Sequence, residues 1–517
     1  MEDTKSRKIK KVVIVLSICL IVLIVMGILF VFKDKLFTKD NNNSIDAKVE
    51  VPKSIYRLSG NDLEDFDLYF LKLENSQKNK VYSPLSIKYA LFMLADGAKG
   101  NTKAQIDAII GDYKPYAYSN NKNMSFANAM FIKNSYKKSI LDSYTNLLKE
   151  KYNADIVYDS FKNPNNANKW VKEKTLDLLD NIFDDSISEY DFFLINALAI
   201  DMNWNNQLQC ETTKAQVPCL EYSVFYDHEN YSDYITYVYD GNYKKIKFNG
   251  NDAKVTEIGA SINKYDIINE LGEDNIRSTV GKEFQEYIDN GGETCGMSYT
   301  EYMDMYIEEL NANYGRFDKS TDFYYYTDDE VKLFAKDLKT YDSKTLEYIA
   351  IMPTDKKLDS YIESLKAEDL NSLIDKMKEV KYENFEDNYV TKIYGNIPLF
   401  DFEYELSLMD DLKKLGIKDV FDAEKADLSN LSKDKSVYIA SAKHKANIIF
   451  SNDGIKASAA TVMGGKGAAS CGISFEHNYD VPVKEINLVF DNPYLFLIRD
   501  KDTGEIWFSG TVYEPIK

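Results

Sequence analysis

The sequence predicts an α+β fold with large antiparallel β-sheets, on three observations. Helical spacing dominates the first half, short apolar strand-like runs dominate the last eighty residues, and no regular strand–helix alternation or internal repeat links them. Leu63, Phe66, Phe70 and Leu73 recur at helical spacing, Ser83 to Ala95 fits a second helix and Ser139 to Lys151 a third. Ile195 to Met202 and Leu346 to Met352 read as buried strands. Near the C-terminus Ile486 to Phe490, Tyr494 to Arg499 and Ile506 to Val512 read as strands, with Asp502-Thr503-Gly504 turning one hairpin. Tyr265 to Asn313 is acidic and helical in pattern, broken at Gly291-Gly292, and is expected to be an insertion or small subdomain.

Composition removes several function classes. The 517 residues are 44% hydrophobic, enough for one large core or two to three smaller ones. A formal net charge of −20 repels polyanions and leaves no basic footprint for nucleic acid. The cysteines, Cys19, Cys210, Cys219, Cys295 and Cys471, form no C-x-x-C pair, so neither a zinc ribbon nor a dense disulfide scaffold is expected. Cys210 and Cys219 are close enough in sequence for a local disulfide, with reduced thiols the alternative. No G-x-S-x-G, H-E-x-x-H, P-loop or G-x-G-x-x-G occurs, so an enzyme reading has no motif behind it and no cofactor or metal is expected.

Residues 12–32 carry no charge and are long enough to cross a bilayer core of about 30 Å. Lys5, Arg7, Lys8, Lys10 and Lys11 precede them, against Lys33, Lys35 and Lys39 after, which favours a cytoplasmic N-terminus over residues 1–11. The expectation is a single-pass anchor, with residues 33–54 as tether and residues 55–517 as a folded body outside the cell membrane. A cleaved signal peptide fits less well, because the apolar run is too long and no small-x-small site follows.

Several blocks in the body stand in a telling order. They are Asn79, Ser83-Pro84-Leu85-Ser86-Ile87 and Gly97-Ala98; Ala127-Asn128-Ala129-Met130-Phe131; Asn168, Trp170 and Thr175; and Asn196-Ala197 with Trp204. Ile397-Pro398-Leu399-Phe400, His444-Lys445-Ala446 and Asn492-Pro493-Tyr494-Leu495-Phe496 follow, with Gly510 and Pro515 last. In this order and spacing the chain resembles the serpins, suicide inhibitors of serine and some cysteine proteases, over most of its length after Ile55. The resemblance implies a serpin fold with about eight to nine helices and an exposed reactive loop, here within residues 453–485. It implies no enzyme activity, a protease as partner and a monomer. The stretch 265–313 lies outside the resemblance.

In such a protein the loop, once cut, enters the main sheet as a new strand. Gly454, Ile455, Ala457, Ser458, Ala459, Ala460 and Thr461 fit the hinge of that loop. As a strand they place Ile455, Ala457, Ala459, Thr461 and Met463 inward and Lys456 outward, so charge stays on the solvent side. Asn452, Ile455 and the glycines Gly464, Gly465 and Gly467 depart from the family pattern; Ile455 and the glycines favour the alternative of a non-inhibitory binding or adhesion protein at the cell surface, and the alanine-rich hinge opposes it. Counting from Gly454 puts the scissile bond at Ala468-Ala469, suited to an elastase-like or subtilisin-like protease; Lys466 is the rival and would suit trypsin-like enzymes. Cys471 is expected as an inert loop cysteine, with redox sensing the alternative. Asn79, Ser83, Ser86, Asn196, Trp204 and His444 are implied to surround the opening of the main sheet, His444 as a structural gate.

Overall fold

The computed structural model describes residues 54–179, 182–205, 208, 238–240, 243–313, 323–452, 454–455, 477 and 479–517. Contacts divide the chain into Met1–Glu50 and Val51–Lys517, and the description below is of the second unit. The expected anchor, residues 12–32, lies outside the described residues, and no helix among the described residues is long and apolar enough to cross a membrane.

Helix α1 (Asp65–Leu73) is followed by strand β1 (Lys80–Tyr82), helices α2 (Pro84–Gly97) and α3 (Gly100–Ile110), strand β2 (Met124–Lys133), helix α4 (Asp142–Tyr152), strand β3 (Asp155–Asp159), helix α5 (Asn165–Lys174) and strands β4 (Phe192–Ile200) and β5 (Met202–Asn203). Strands β6 (Val238–Asp240), β7 (Tyr243–Phe248), β8 (Asn251–Glu257) and β9 (Ala260–Asn263) precede helices α6 (Ile267–Leu271), α7 (Glu273–Asp289) and α8 (Tyr299–Asn313). Strands β10 (Phe323–Thr327), β11 (Val331–Asp337) and β12 (Leu346–Pro353) lead to helices α9 (Leu358–Ser364) and α10 (Ala367–Ile374). The chain closes with β13 (Lys378–Glu379), β14 (Val390–Pro398), β15 (Phe400–Ser407), α11 (Leu408–Leu415), β16 (Lys443–Phe450), β17 (Gly454–Ile455), β18 (Val483–Val489), β19 (Tyr494–Asp500) and β20 (Ile506–Val512).

The prediction of an α+β fold with large antiparallel sheets holds, with one correction. Eleven α-helices are present among the described residues, more than the eight to nine expected, because the acidic stretch alone contributes three. Two pairs within the smaller sheets are parallel, β14 with β18 and β2 with β3. Both parallel partners return over long connections, which is what a parallel pair needs.

The centre is a seven-stranded antiparallel sheet in the order β1-β20-β19-β12-β11-β10-β13. Its middle strands β12, β19 and β20 are almost wholly buried, so they read as continuous apolar runs rather than alternating ones. Gly504, with φ +73°, makes the β19–β20 hairpin possible, since that backbone region is open to glycine at little cost. A second sheet carries β18-β14-β8-β7-β6, with β9 also on β14.

The remaining strands form a sheet in two pieces, β3-β2-β4 and β15-β16-β17-β5. Strand β4 alternates between two cores. Leu198 and Ile200 join the main cluster, whereas Ile195 and Ala197 join a smaller one with Trp170 and Val171 of α5. A third cluster, built on Ile276, Val280, Phe284, Tyr302, Met303 and Ile307, belongs to α6–α8.

Candidate functional site

The site is the division in that last sheet. Strands β4 and β16 face each other as its two lips; among the described residues no ladder joins them, and the pieces meet where β17 sits between β16 and β5. Ile455 pairs with Phe450 on one side and Met202 on the other, and Gly454 with Asn203. Below that point a cavity of about 360 Å³ opens between the lips, lined by α2, β4 and the approach to β16.

Two local features seat β17. A Cβ on Gly454 would fall 2.1 Å from the carbonyl oxygen of Met202 and 2.6 Å from Cα of Asn203, so only glycine admits this approach. Ile455 is 2% exposed and belongs to the main core, which places it inward as its alternation predicts. Trp204, 1% exposed, supports the same end: its Nε1–H donates to the Ser451 carbonyl at 2.9 Å, and its ring lies edge-on to Phe450 and Tyr348.

Ser83, Ser86, Asn196 and His444 all line the cavity, so four of the six residues expected around the opening come together there. Ser83 caps α2, accepting from the Ser86 N–H at 3.0 Å, with Pro84 at the first helical position. The Ser83 N–H donates to Nε2 of His444 at 2.9 Å, which places the ring proton on Nδ1. Burial pulls the His444 imidazole down to about 4, so it is neutral at physiological pH and can keep accepting. Asn196 donates to Asn128 Oδ1 at 2.8 Å, Asn128 donates to the Tyr152 carbonyl at 2.9 Å, and Asn196 Oδ1 is buried without a hydrogen-bond partner.

Trp204 and Asn79 stand apart from that group. Trp204 belongs to the β17 end, as described. Asn79 does not reach the opening: its Nδ2–H donates to the Glu514 carbonyl at 2.6 Å and its Oδ1 accepts from the N–H groups of Tyr513 and Glu514. It fastens the chain beyond β20, because an asparagine side chain next to β1 can satisfy backbone groups that the ladder has released. The hinge residues Ala457, Ser458, Ala459, Ala460 and Thr461, the bond Ala468-Ala469, Lys466 and Cys471 lie outside the described residues. So do Cys210 and Cys219, whereas Cys295 is disulfide-bonded.

The sequence reading missed a buried ion triad beneath α2. Lys88, on the α2 face opposite the cavity, contacts Asp67 at 2.8 Å and Glu505 at 3.0 Å, and all three side chains are fully buried. Burial pushes the Asp67 carboxyl up to about 6, against the pull of Lys88. Burial works against the charge on Lys88 too, but Asp67 and Glu505 outweigh it and hold the ammonium above its usual value. The signal was present: a lysine and an aspartate inside two otherwise apolar helix faces must be paired if both faces are buried.

Among the described residues, then, β4 and β16 flank a cavity headed by β17, which pairs with β16 on one side and β5 on the other. The comparisons agree on the class: the family Serpin (serine protease inhibitor) matches residues 66–220 and 317–515, more than half of the chain, and the chain belongs to that family. Mouse neuroserpin is 23% identical over 471 residues, 86% of this chain and 88% of that protein. Human leukocyte elastase inhibitor is 22% identical over 482 residues, 88% of this chain and 99% of that protein. Among solved structures, the thermophilic serpin tengpin in its native state superposes with a TM-score of 0.55 at 22% identity, covering 92% of this chain and 96% of that one.

Proposed function

We propose that the chain is a suicide inhibitor of serine proteases that traps its target by inserting the cut loop between β4 and β16. The observation that carries this is the seating of Gly454 and Ile455 as a two-residue wedge between Phe450 and Met202, at the head of an unpaired cleft.

Continuation of the existing register gives the path an inserted loop would take. Ile455 opposite Phe450 and Met202, continued antiparallel, sets Ala457 between Ile448 and Ile200, Ala459 between Ala446 and Leu198, and Thr461 between His444 and Asn196. Small residues thus meet the apolar positions, and the first inward hydroxyl, that of Thr461, meets the two polar groups beside the cavity, where Asn196 Oδ1 is free to accept. The protease serine Oγ attacks the carbonyl carbon at the scissile bond, Ala468-Ala469 with Lys466 as rival position. The C–N bond breaks, the new amine leaves with a proton, and an ester tethers the enzyme. Insertion of residues 456–462 beside β16 then competes with water for that ester by carrying the protease away from the loop's original position.

An elastase-like or subtilisin-like target follows from the small residues at the proposed bond, and human leukocyte elastase inhibitor, by its name, acts on such an enzyme. Residues 12–32 support an anchor holding this body outside a cell membrane. The test is incubation of the full chain with elastase-, subtilisin- and trypsin-like proteases. An SDS-resistant adduct, with the released peptide locating the cut, is expected; cleavage with neither adduct nor gain in thermal stability overturns the inhibitor reading in favour of a binding role.

A further inference from the structure

The helices α6–α8 fall within residues 221–316, the gap between the two family-matched segments, and they are joined to the far flank of the reactive loop. Residues 477–481 immediately precede β18, and the small helical core reaches them: Tyr479 and Val481 pack against it from outside its own sequence. Two polar contacts tighten the join. The Tyr306 hydroxyl of α8 donates to the Tyr479 hydroxyl at 3.1 Å, and Nδ1 of His477 lies 2.6 Å from Oε2 of Glu283 on α7. The His477 and Tyr479 rings themselves meet edge to face at 4.6 Å. Just beyond, the Pro482 carbonyl accepts from the Val390 N–H at 3.0 Å, where β18 begins its ladder on β14.

This places a separately packed helical unit on one end of a loop whose other end is the seated wedge at β17. The two ends have different fates. In an uncut chain, insertion that runs the length of the cleft uses up the residues between the wedge and His477 and then draws on residues 477–481, because the backbone is continuous. In a chain cut between the wedge and His477, the inserting piece is released from that flank and the helices hold only what stays behind. Contacts at 477–481 therefore oppose insertion of the intact loop and leave insertion of the cut loop untouched.

We infer that the α6–α8 insert is a latch: by holding His477, Tyr479 and Val481 it keeps the uncut loop out of the cleft, so that the protein spends its stored stability only after cleavage. The inference rests on the loop-insertion reading above. It deepens that reading, since a protein that discharges on cutting needs a reason not to discharge beforehand.

The experiment compares the full chain with the double variant Glu283→Gln/Tyr306→Phe and, separately, with Tyr479→Ala. Each is incubated uncut at an elevated temperature below its melting transition, and aliquots are assayed for adduct formation with a protease that cuts the loop, for intact mass and for thermal stability. Both variants are expected to form adduct at time zero, which shows that they fold. They are then expected to lose that capacity roughly ten-fold faster than the parent, at unchanged mass and with a rise in melting temperature. Loss at the parental rate overturns the latch and leaves the inhibitor reading standing. A parent that forms no adduct and gains no stability when cut overturns the inhibitor reading, and the latch with it.

Discussion

The backbone N–H of Ser83 donates to Nε2 of His444 at 2.9 Å, tying the start of α2 to β16 at the cavity that divides the sheet. Only a neutral ring can accept this bond, and burial favours that form by pulling His444 down to about 4 from an ordinary 6.5. Because the folded value lies below the unfolded one, the unfolded chain takes up the proton first as pH falls. The contribution is complete above about 6.5 and is lost between there and about 4. Allowing for the ring edge that faces the cavity, it amounts to about 2 kcal/mol. Urea midpoints measured from pH 7.5 to 4.5 should fall more steeply for the parent than for His444→Gln; parallel curves contradict this role.

Gly454 is held by contact distances no side chain can meet. Gly454→Val should unseat β17 at a cost of roughly 1–3 kcal/mol, since its Cβ would lie 2.1 Å from the Met202 oxygen. The measured consequence is a higher number of inhibitor molecules consumed per protease molecule trapped. An unchanged ratio would show that the wedge is incidental.

Under the proposed insertion, continuing the register of Ile455 would bring Thr461 between His444 and Asn196, which makes it a sharp test of the insertion path. Thr461→Arg would carry a charge into that position at a cost of several kcal/mol, so hydrolysis should outrun insertion. The expected result is a cut chain, an active protease and little adduct on a denaturing gel.

Lys88→Met should lower stability by about 3–5 kcal/mol in chemical denaturation, because two buried carboxylates lose their shared cation. Asp67 acts on pH in the opposite sense to His444. Its folded value of about 6 lies above its unfolded one, so the folded chain binds the extra proton and this group favours folding more as pH falls through 6. In the variant, stability should rise more strongly on acidification than in the parent.

Much of the architecture was legible because burial and periodicity agree. Leu346 to Met352, Tyr494 to Arg499 and Ile506 to Val512 are strands of the seven-stranded sheet, and the serine–proline start at Ser83-Pro84 is the cap of α2. Ser83, Ser86, Asn196 and His444 were grouped by resemblance and share one cavity. What the chain did not reveal depends on partners distant in sequence. Asn79 looks like a sheet-opening residue until residues 513–514 are seen to occupy it, and Lys88 looks misplaced until Asp67 and Glu505 surround it. The helical pattern of Tyr265 to Asn313 was visible, but nothing local to it points to Tyr479, more than 160 residues away.

The most direct measurement is the structure of the full chain after a single cut in the reactive loop. If the cut loop inserts, β17 extends past Ile455 between β16 and β4, with Thr461 flanked by His444 and Asn196 and the two sheet pieces joined. A cleaved chain in which β17 still ends at Ile455 and the cavity between β4 and β16 persists would contradict that insertion.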